Sequence, residues 1–203
     1  MKPFKLYSAA ILTITSLAAA VVHAVAVPNG AMPGFYLGGQ LGYSELYYGK
    51  NDFNASSIRI NNTGVGGRAY FGYQLNHYIG AEAGFTQYAS SSVESLNNNS
   101  GIAGNIDQYA YDVVLKGTYP LVDSGFNLYA KAGGAYAKTF VSRTLCAYGV
   151  CDSTQALFTY GAGATYNIWP HVPIDFSWTH LQQSNGAIAS ADLGAIGIAY
   201  YFG

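Results

Sequence analysis

Eight separate stretches of this chain alternate between two kinds of side chain, and every acid and base within their cores falls on one parity. A period of two belongs to a β-strand, whose successive side chains point to opposite faces. In the first stretch Phe35, Leu37, Gly39, Leu41 and Tyr43 share one face, against Tyr36, Gly38, Gln40, Gly42 and Ser44. The pattern returns over 65–75, 79–86, 109–119, 126–136, 158–167, 174–179 and 195–202. One face is large and apolar, the other small or polar. Arg68, Glu82, Asp112, Lys116, Lys131 and Asp175 all lie on the small, polar parity.

This asymmetry separates two kinds of barrel. A soluble barrel would turn the large apolar face inward, leaving an outer surface rich in glycine and poor in charge. Only 9 % of the residues are charged, against about 25 % in an ordinary soluble domain. No run of about 18 apolar residues follows residue 27, so a spanning helix is unavailable. Within lipid only helices and closed barrels satisfy their backbone hydrogen bonds. Arg or Lys on a lipid-facing wall costs about 2–4 kcal/mol at the midplane. The sequence therefore predicts an all-β fold, an eight-stranded antiparallel transmembrane β-barrel with the apolar face toward lipid. Eight strands leave an interior just wide enough for side chains to fill. The three cations Arg68, Lys116 and Lys131 are expected to be offset by Glu82, Asp112 and Asp175 as a buried structural network.

The connections alternate in length. Tight turns are expected at Asn76-His77, over 120–124 and over 169–172. Longer ones, rich in Asn, Ser and Gly, cover 45–63, 90–104, 139–154 and 182–190, and read as solvated loops. Outer-membrane barrels carry short periplasmic turns and long extracellular loops. An even strand count then puts both termini in the periplasm. Outward aromatics gather toward strand ends, as interface girdles do: Phe35, Tyr73, Tyr119, Phe126, Tyr166 and Phe202 at one edge, Tyr43, Tyr109, Tyr136, Phe158 and Trp178 at the other.

The first residues carry the signature of a signal peptide. Lys2 and Lys5 form a basic start, 6–22 an apolar core, and Ala24-Val25-Ala26 a cleavage motif, with Val22-His23-Ala24 as an alternative. Residues 1–26 are expected to be removed, leaving 27–203 as the barrel domain. Lys2 and Lys5 leave with the peptide, so the mature chain is mildly acidic and gives no reason to invoke nucleic acid. Cys146 and Cys151, the two cysteines of the chain, lie in the third long connection. Export to an oxidising compartment makes a disulfide between them the expected state. No cofactor or metal set is apparent. His180 and Ser184 are the one pair suggesting hydrolysis, with Asp192 the nearest acid, but they stand four residues apart, two more than adjacent positions on one strand face.

Gly34-Phe-Tyr-Leu-Gly-Gly-Gln-Leu-Gly-Tyr43 resembles the first strand of small opacity-type and OmpA/OmpX-like outer-membrane proteins. Phe71 through Phe85 resembles their second hairpin, and Leu115-Lys-Gly-Thr-Tyr-Pro120 and Ile196 through Phe202 also match. The resemblance implies insertion by the barrel-assembly machinery, which reads a terminal aromatic; here Gly203 follows Phe202. The segment around His180 and Ser184 faintly resembles that of outer-membrane lipid A deacylases. The expected function is a monomeric structural and surface-antigen-like protein without enzymatic activity. It would sit among outer-membrane lipids and lipopolysaccharide and adhere to host, phage or neighbouring cells through its loops. A lipid A-modifying enzyme and a small channel are the alternatives.

Overall fold

The computed structural model describes residues 31–53, 58–95, 103–121, 124–146, 150–183 and 188–202. Residues 1–26, expected to be a signal peptide, and Ser184 lie outside them. Ten strands follow in chain order: β1 (Gly34–Leu46), β2 (Ile58–Asn61), β3 (Thr63–Gln74), β4 (Ile79–Gln87), β5 (Ser91–Ser95), β6 (Ala103–Pro120), β7 (Phe126–Val141), β8 (Ser153–Trp169), β9 (Val172–Gln182) and β10 (Ala191–Tyr201). Eight of them, in the order β6-β4-β3-β1-β10-β9-β8-β7, form an antiparallel sheet that β6–β7 pairing closes. These eight are the eight alternating stretches. β1 pairs with β10 from Tyr36↔Tyr201 to Leu46↔Ala191, so the first and last strands seal the wall and leave no edge within it. No helix among the described residues is long and apolar enough to cross a membrane.

Side-chain direction follows the expected parity. Leu41 and Leu115 are each 69 % exposed on the outer wall and Val65 77 %, whereas none of the six charged strand residues exceeds 6 %. Tilted outer-wall ring pairs Phe35–Tyr73 and Phe126–Tyr166 sit at the end with the short turns. There Asn76 Oδ1 accepts the Tyr78 and Ile79 amides.

The other end corrects two expectations. The long connections do not read simply as solvated loops. β2 and β5 lie within 45–63 and 90–104, pair with each other, and extend the sheet from β6. One helical turn, α1 (Arg143–Cys146), lies within 139–154. The inward face near this end is also apolar rather than small or polar. Ile106, Leu157, Leu181 and Leu193 point in and pack with Leu46, Tyr48, Phe53, Ile58, Val93, Leu145 and Ile188 in one buried cluster. Apolar residues scattered through Asn- and Ser-rich segments thus converge into a cap. Strands β6, β7 and β8 run 18, 16 and 17 residues, long enough to carry their pairing up into it.

Candidate functional site in the barrel lumen

Inward alternation on the eight wall strands concentrates polar groups in the lumen. Glu82 on β4 lies among all three cations. Lys116 Nζ donates to Glu82 Oε1 at 3.0 Å, Arg68 Nη2 lies 3.6 Å from Oε2, and Lys131 Nζ 3.9 Å from Oε2. Arg68 grips Asp112 with both guanidinium nitrogens, Nη2 to Oδ1 at 2.8 Å and Nη1 to Oδ2, and Nη1 also reaches Thr86 Oγ1 at 3.2 Å. Such a two-pronged Arg–carboxylate contact fixes orientation as well as charge.

Asp175 is held differently from the simple pairing of three cations with three anions. Among the described residues no cation lies within ion-pair distance of it. Instead it accepts Gln40 Nε2 at 2.7 Å, Tyr129 OH at 2.7 Å and Tyr70 OH at 3.0 Å. Tyr36 OH donates to Glu82 Oε1 at 3.0 Å. Reading the tyrosines chiefly as interface markers missed this. Tyr36, Tyr70, Tyr129 and Tyr201 stand inside, and their place on the inward parity was the available signal. Their rings also receive charge: Lys116 Nζ lies 4.4 Å from the Tyr129 ring centre and 5.2 Å from that of Tyr36.

Glycine makes the room. A Cβ on Gly72 would fall 2.4 Å from Tyr36 Cζ, and one on Gly38 would fall 2.3 Å from Tyr70 Cζ. The rings therefore lie against bare backbone of the neighbouring strand. At the turn end Tyr36 stacks on Tyr201 with ring centres 4.8 Å apart, and Ala31, Tyr70 and Ala199 pack beside them with Met32. His77 Nδ1 holds the Ala31 carbonyl at 3.0 Å. The apolar cap covers the opposite end. The lumen is filled by its own side chains.

The other sequence candidates lie apart from it. Cys146 and Cys151 are bonded to one another beside α1. His180 sits on the outward parity of β9, with Nδ1 2.6 Å from Asp192 Oδ1, while Tyr47 OH donates to Asp192 Oδ2 at 2.6 Å. Tyr160 and Trp178 flank the imidazole at ring distances of 5.1 and 6.0 Å. Among the described residues no three His, Cys, Asp or Glu side chains gather as a metal-holding group.

A closed eight-stranded wall with an apolar exterior and a charged, filled interior narrows the comparison to membrane barrels. The profile of the family described as "Outer membrane protein beta-barrel domain" matches residues 10–202. The chain belongs to this family. Among curated relatives it is similar to Outer membrane protein A of Klebsiella pneumoniae, 25 % identical over 187 residues, covering 83 % of this chain and 51 % of that one. It is 27 % identical over 207 residues to Outer membrane protein A of Yersinia pseudotuberculosis, covering 94 % of this chain and 55 % of that one. The chain thus spans about half the length of the curated relatives it matches. Among solved structures the fold is similar to Neisserial surface protein A, with a TM-score of 0.59 at 16 % identity, covering 83 % of this chain and 97 % of that one. It is also similar to OprG of Pseudomonas aeruginosa, with a TM-score of 0.52 at 15 % identity, covering 85 % and 98 %. This outer-membrane barrel accordingly sits among membrane lipids, and its outer wall exposes Leu, Val and aromatic side chains.

Proposed function

We propose that this barrel is a structural and surface-interaction protein of the Gram-negative outer membrane, with residues 1–26 removed on export and both termini periplasmic. The carrying observation is the cap. The long connections pack Leu46, Phe53, Ile58, Val93, Leu145 and Ile188 into a common core, so the loop end offers a surface of defined shape. Lys50, Arg59, Glu94 and Arg143 stand exposed around it. Such a surface suits adhesion to a host, phage or neighbouring cell, and the disulfide Cys146–Cys151 braces one part of it. Insertion by the barrel-assembly machinery, a lipopolysaccharide environment and a monomeric state belong to the same proposal.

Protease added to intact cells tests the topology. Cleavage is expected within 45–63 or 90–104, with the turn at Asn76-His77 spared; cleavage at that turn with the long connections protected would invert the barrel. Binding of whole cells to host cells, with the cap intact and with 45–63 replaced by a Gly-Ser linker, tests the adhesive role. Equal binding by both would overturn it.

One observation favours a second reading. A carboxylate that orients a histidine, as Asp192 does His180, is the arrangement a general base requires. It lies on the outer wall toward the cap, where it would meet lipid head groups. Lipid A acyl-chain analysis with wild type and His180→Ala distinguishes the readings: identical acyl patterns support the structural role, and altered ones the enzyme.

A further inference from the structure

Among the described residues, Lys138 alone of the Lys and Arg residues in the eight wall strands stands on the outward parity. It lies on β7 two positions above Tyr136, toward the cap. The cost of a lysine facing lipid falls from the midplane toward the interface, so this height suits head groups rather than acyl chains. Its Nζ lies 4.5 Å from the Phe140 ring centre. No ion pair among the described residues involves it. Asp107, opposite Phe140 in the register, takes the Ser90 hydroxyl, and Asp152 takes the Val141 amide at 2.7 Å. The ammonium therefore faces the membrane surface without an anion.

The wall beneath it is grooved. The groove measures about 710 Å³, within the roughly 300–1,000 Å³ of small-molecule sites. Its floor follows one register row across five strands: Tyr70, Gly84, Asp112, Ala135 and Leu157. The side chains of that row turn into the lumen, so backbone is what the groove meets. Ala69, Ala83, Gly134 and Ala156 keep its banks low, and a Cβ on Gly134 would meet nothing within 4 Å. Rings connect the groove to the lysine. Phe85, which lines it, lies 5.8 Å from Tyr109, and Tyr109 lies 5.7 Å from Phe140, beneath the ammonium.

Length and slope point to the occupant. Four strand spacings of about 4.8 Å make the row about 19 Å long. One leaflet contributes about 15 Å of hydrocarbon, half of a core of about 30 Å. The row is also inclined: Tyr70 stands six positions from Asn76 in its short turn, whereas Leu157 stands twelve from Trp169 in its own. The groove thus climbs from β3 to β8 and ends one layer below Lys138 and its register partner Thr154. We propose that this face binds one phosphate-bearing acyl lipid of the outer leaflet, with a chain along the groove and the phosphate on Lys138. A phosphate there accepts charge-assisted hydrogen bonds from the ammonium. The leaflet rests on the proposed placing of the long connections outside the cell; the site itself does not.

Native mass spectrometry of the barrel in detergent, where no leaflet exists, tests the site apart from the topology. Dimyristoylphosphatidic acid is the probe, and one molecule is expected to bind saturably. Dimyristoylglycerol, which lacks the phosphate, is expected to bind at least about tenfold more weakly, the order of one charge-assisted hydrogen bond. Lys138→Gln should weaken the phosphatidic acid to a similar extent and Lys138→Arg should retain it. Gly134→Leu, which puts a side chain into open space in the groove, should also weaken it. Equal binding of both lipids, or wild-type affinity in Lys138→Gln, would remove the phosphate contact. Wild-type affinity in a folded Gly134→Leu would remove the groove. Competition by millimolar inorganic phosphate would make this a site for the free anion and overturn the proposal. So would a barrel dimer that retains no lipid and that Gly134→Leu dissociates, which would assign the groove to a second copy.

Discussion

At the residue scale, the lumen depends on one carboxylate more than on the other five charges. Glu82 faces Lys116 at 3.0 Å, Arg68 at 3.6 Å and Lys131 at 3.9 Å. Removing one partner from a buried ionic cluster typically costs about 3–5 kcal/mol, because the remaining charges stay enclosed without compensation. An exposed pair is worth about 0–1 kcal/mol. Glu82→Gln is therefore expected to lower unfolding stability in detergent by several kcal/mol, while Lys50→Met, on the exposed cap, leaves it unchanged. Chemical denaturation monitored by tryptophan fluorescence checks this. A Glu82→Gln loss no larger than that of Lys50→Met would mean that the lumen is open to bulk water.

At the element scale, the cap has its own pH dependence. Tyr48, which follows β1, is 5 % exposed and donates to Gln108 Oε1 at 3.2 Å. Burial pushes its hydroxyl from 10.0 up to about 12; the backbone at Ala189 opposes the rise and Asp52 adds to it. The raised value means that the packed cap prefers the neutral phenol. Its stabilisation is complete below pH 10, where the unpacked tyrosine is also protonated, and is lost as pH climbs to about 12. Absorbance titration at 295 nm should show a tyrosine ionising near pH 12 that Tyr48→Phe removes, and protease sensitivity of 45–63 should rise over the same interval. If sensitivity stays flat up to pH 12, the cap does not rest on a buried Tyr48.

At the scale of the whole molecule, closure governs behaviour. Pairing of β1 with β10 and of β6 with β7 completes the backbone hydrogen bonds of the wall. The barrel should therefore survive cold detergent and migrate differently on a denaturing gel before and after boiling. Side chains fill the lumen between an apolar cap and an aromatic floor. Wild-type protein in a planar bilayer should accordingly show no steady conductance, and a stable open level would restore the channel reading.

The eight wall strands, the parity of each and the inward direction of Arg68, Glu82, Asp112, Lys116, Lys131 and Asp175 could be read from the chain. A pleated strand in a bilayer admits charge on one face only, so local alternation carries that information. Pairing inside the lumen was not legible to the same depth. Which carboxylate meets which cation depends on register and side-chain reach across the barrel, so Asp175 gains Gln40, Tyr70 and Tyr129 where a cation was expected. The cap was hidden for a similar reason. Phe53, Ile58, Val93, Leu145 and Ile188 are far apart along polar segments, with no period to join them. Composition determined the solvent this protein faces; only closure of the wall, which brings distant loop residues over one opening, decided that they form a core.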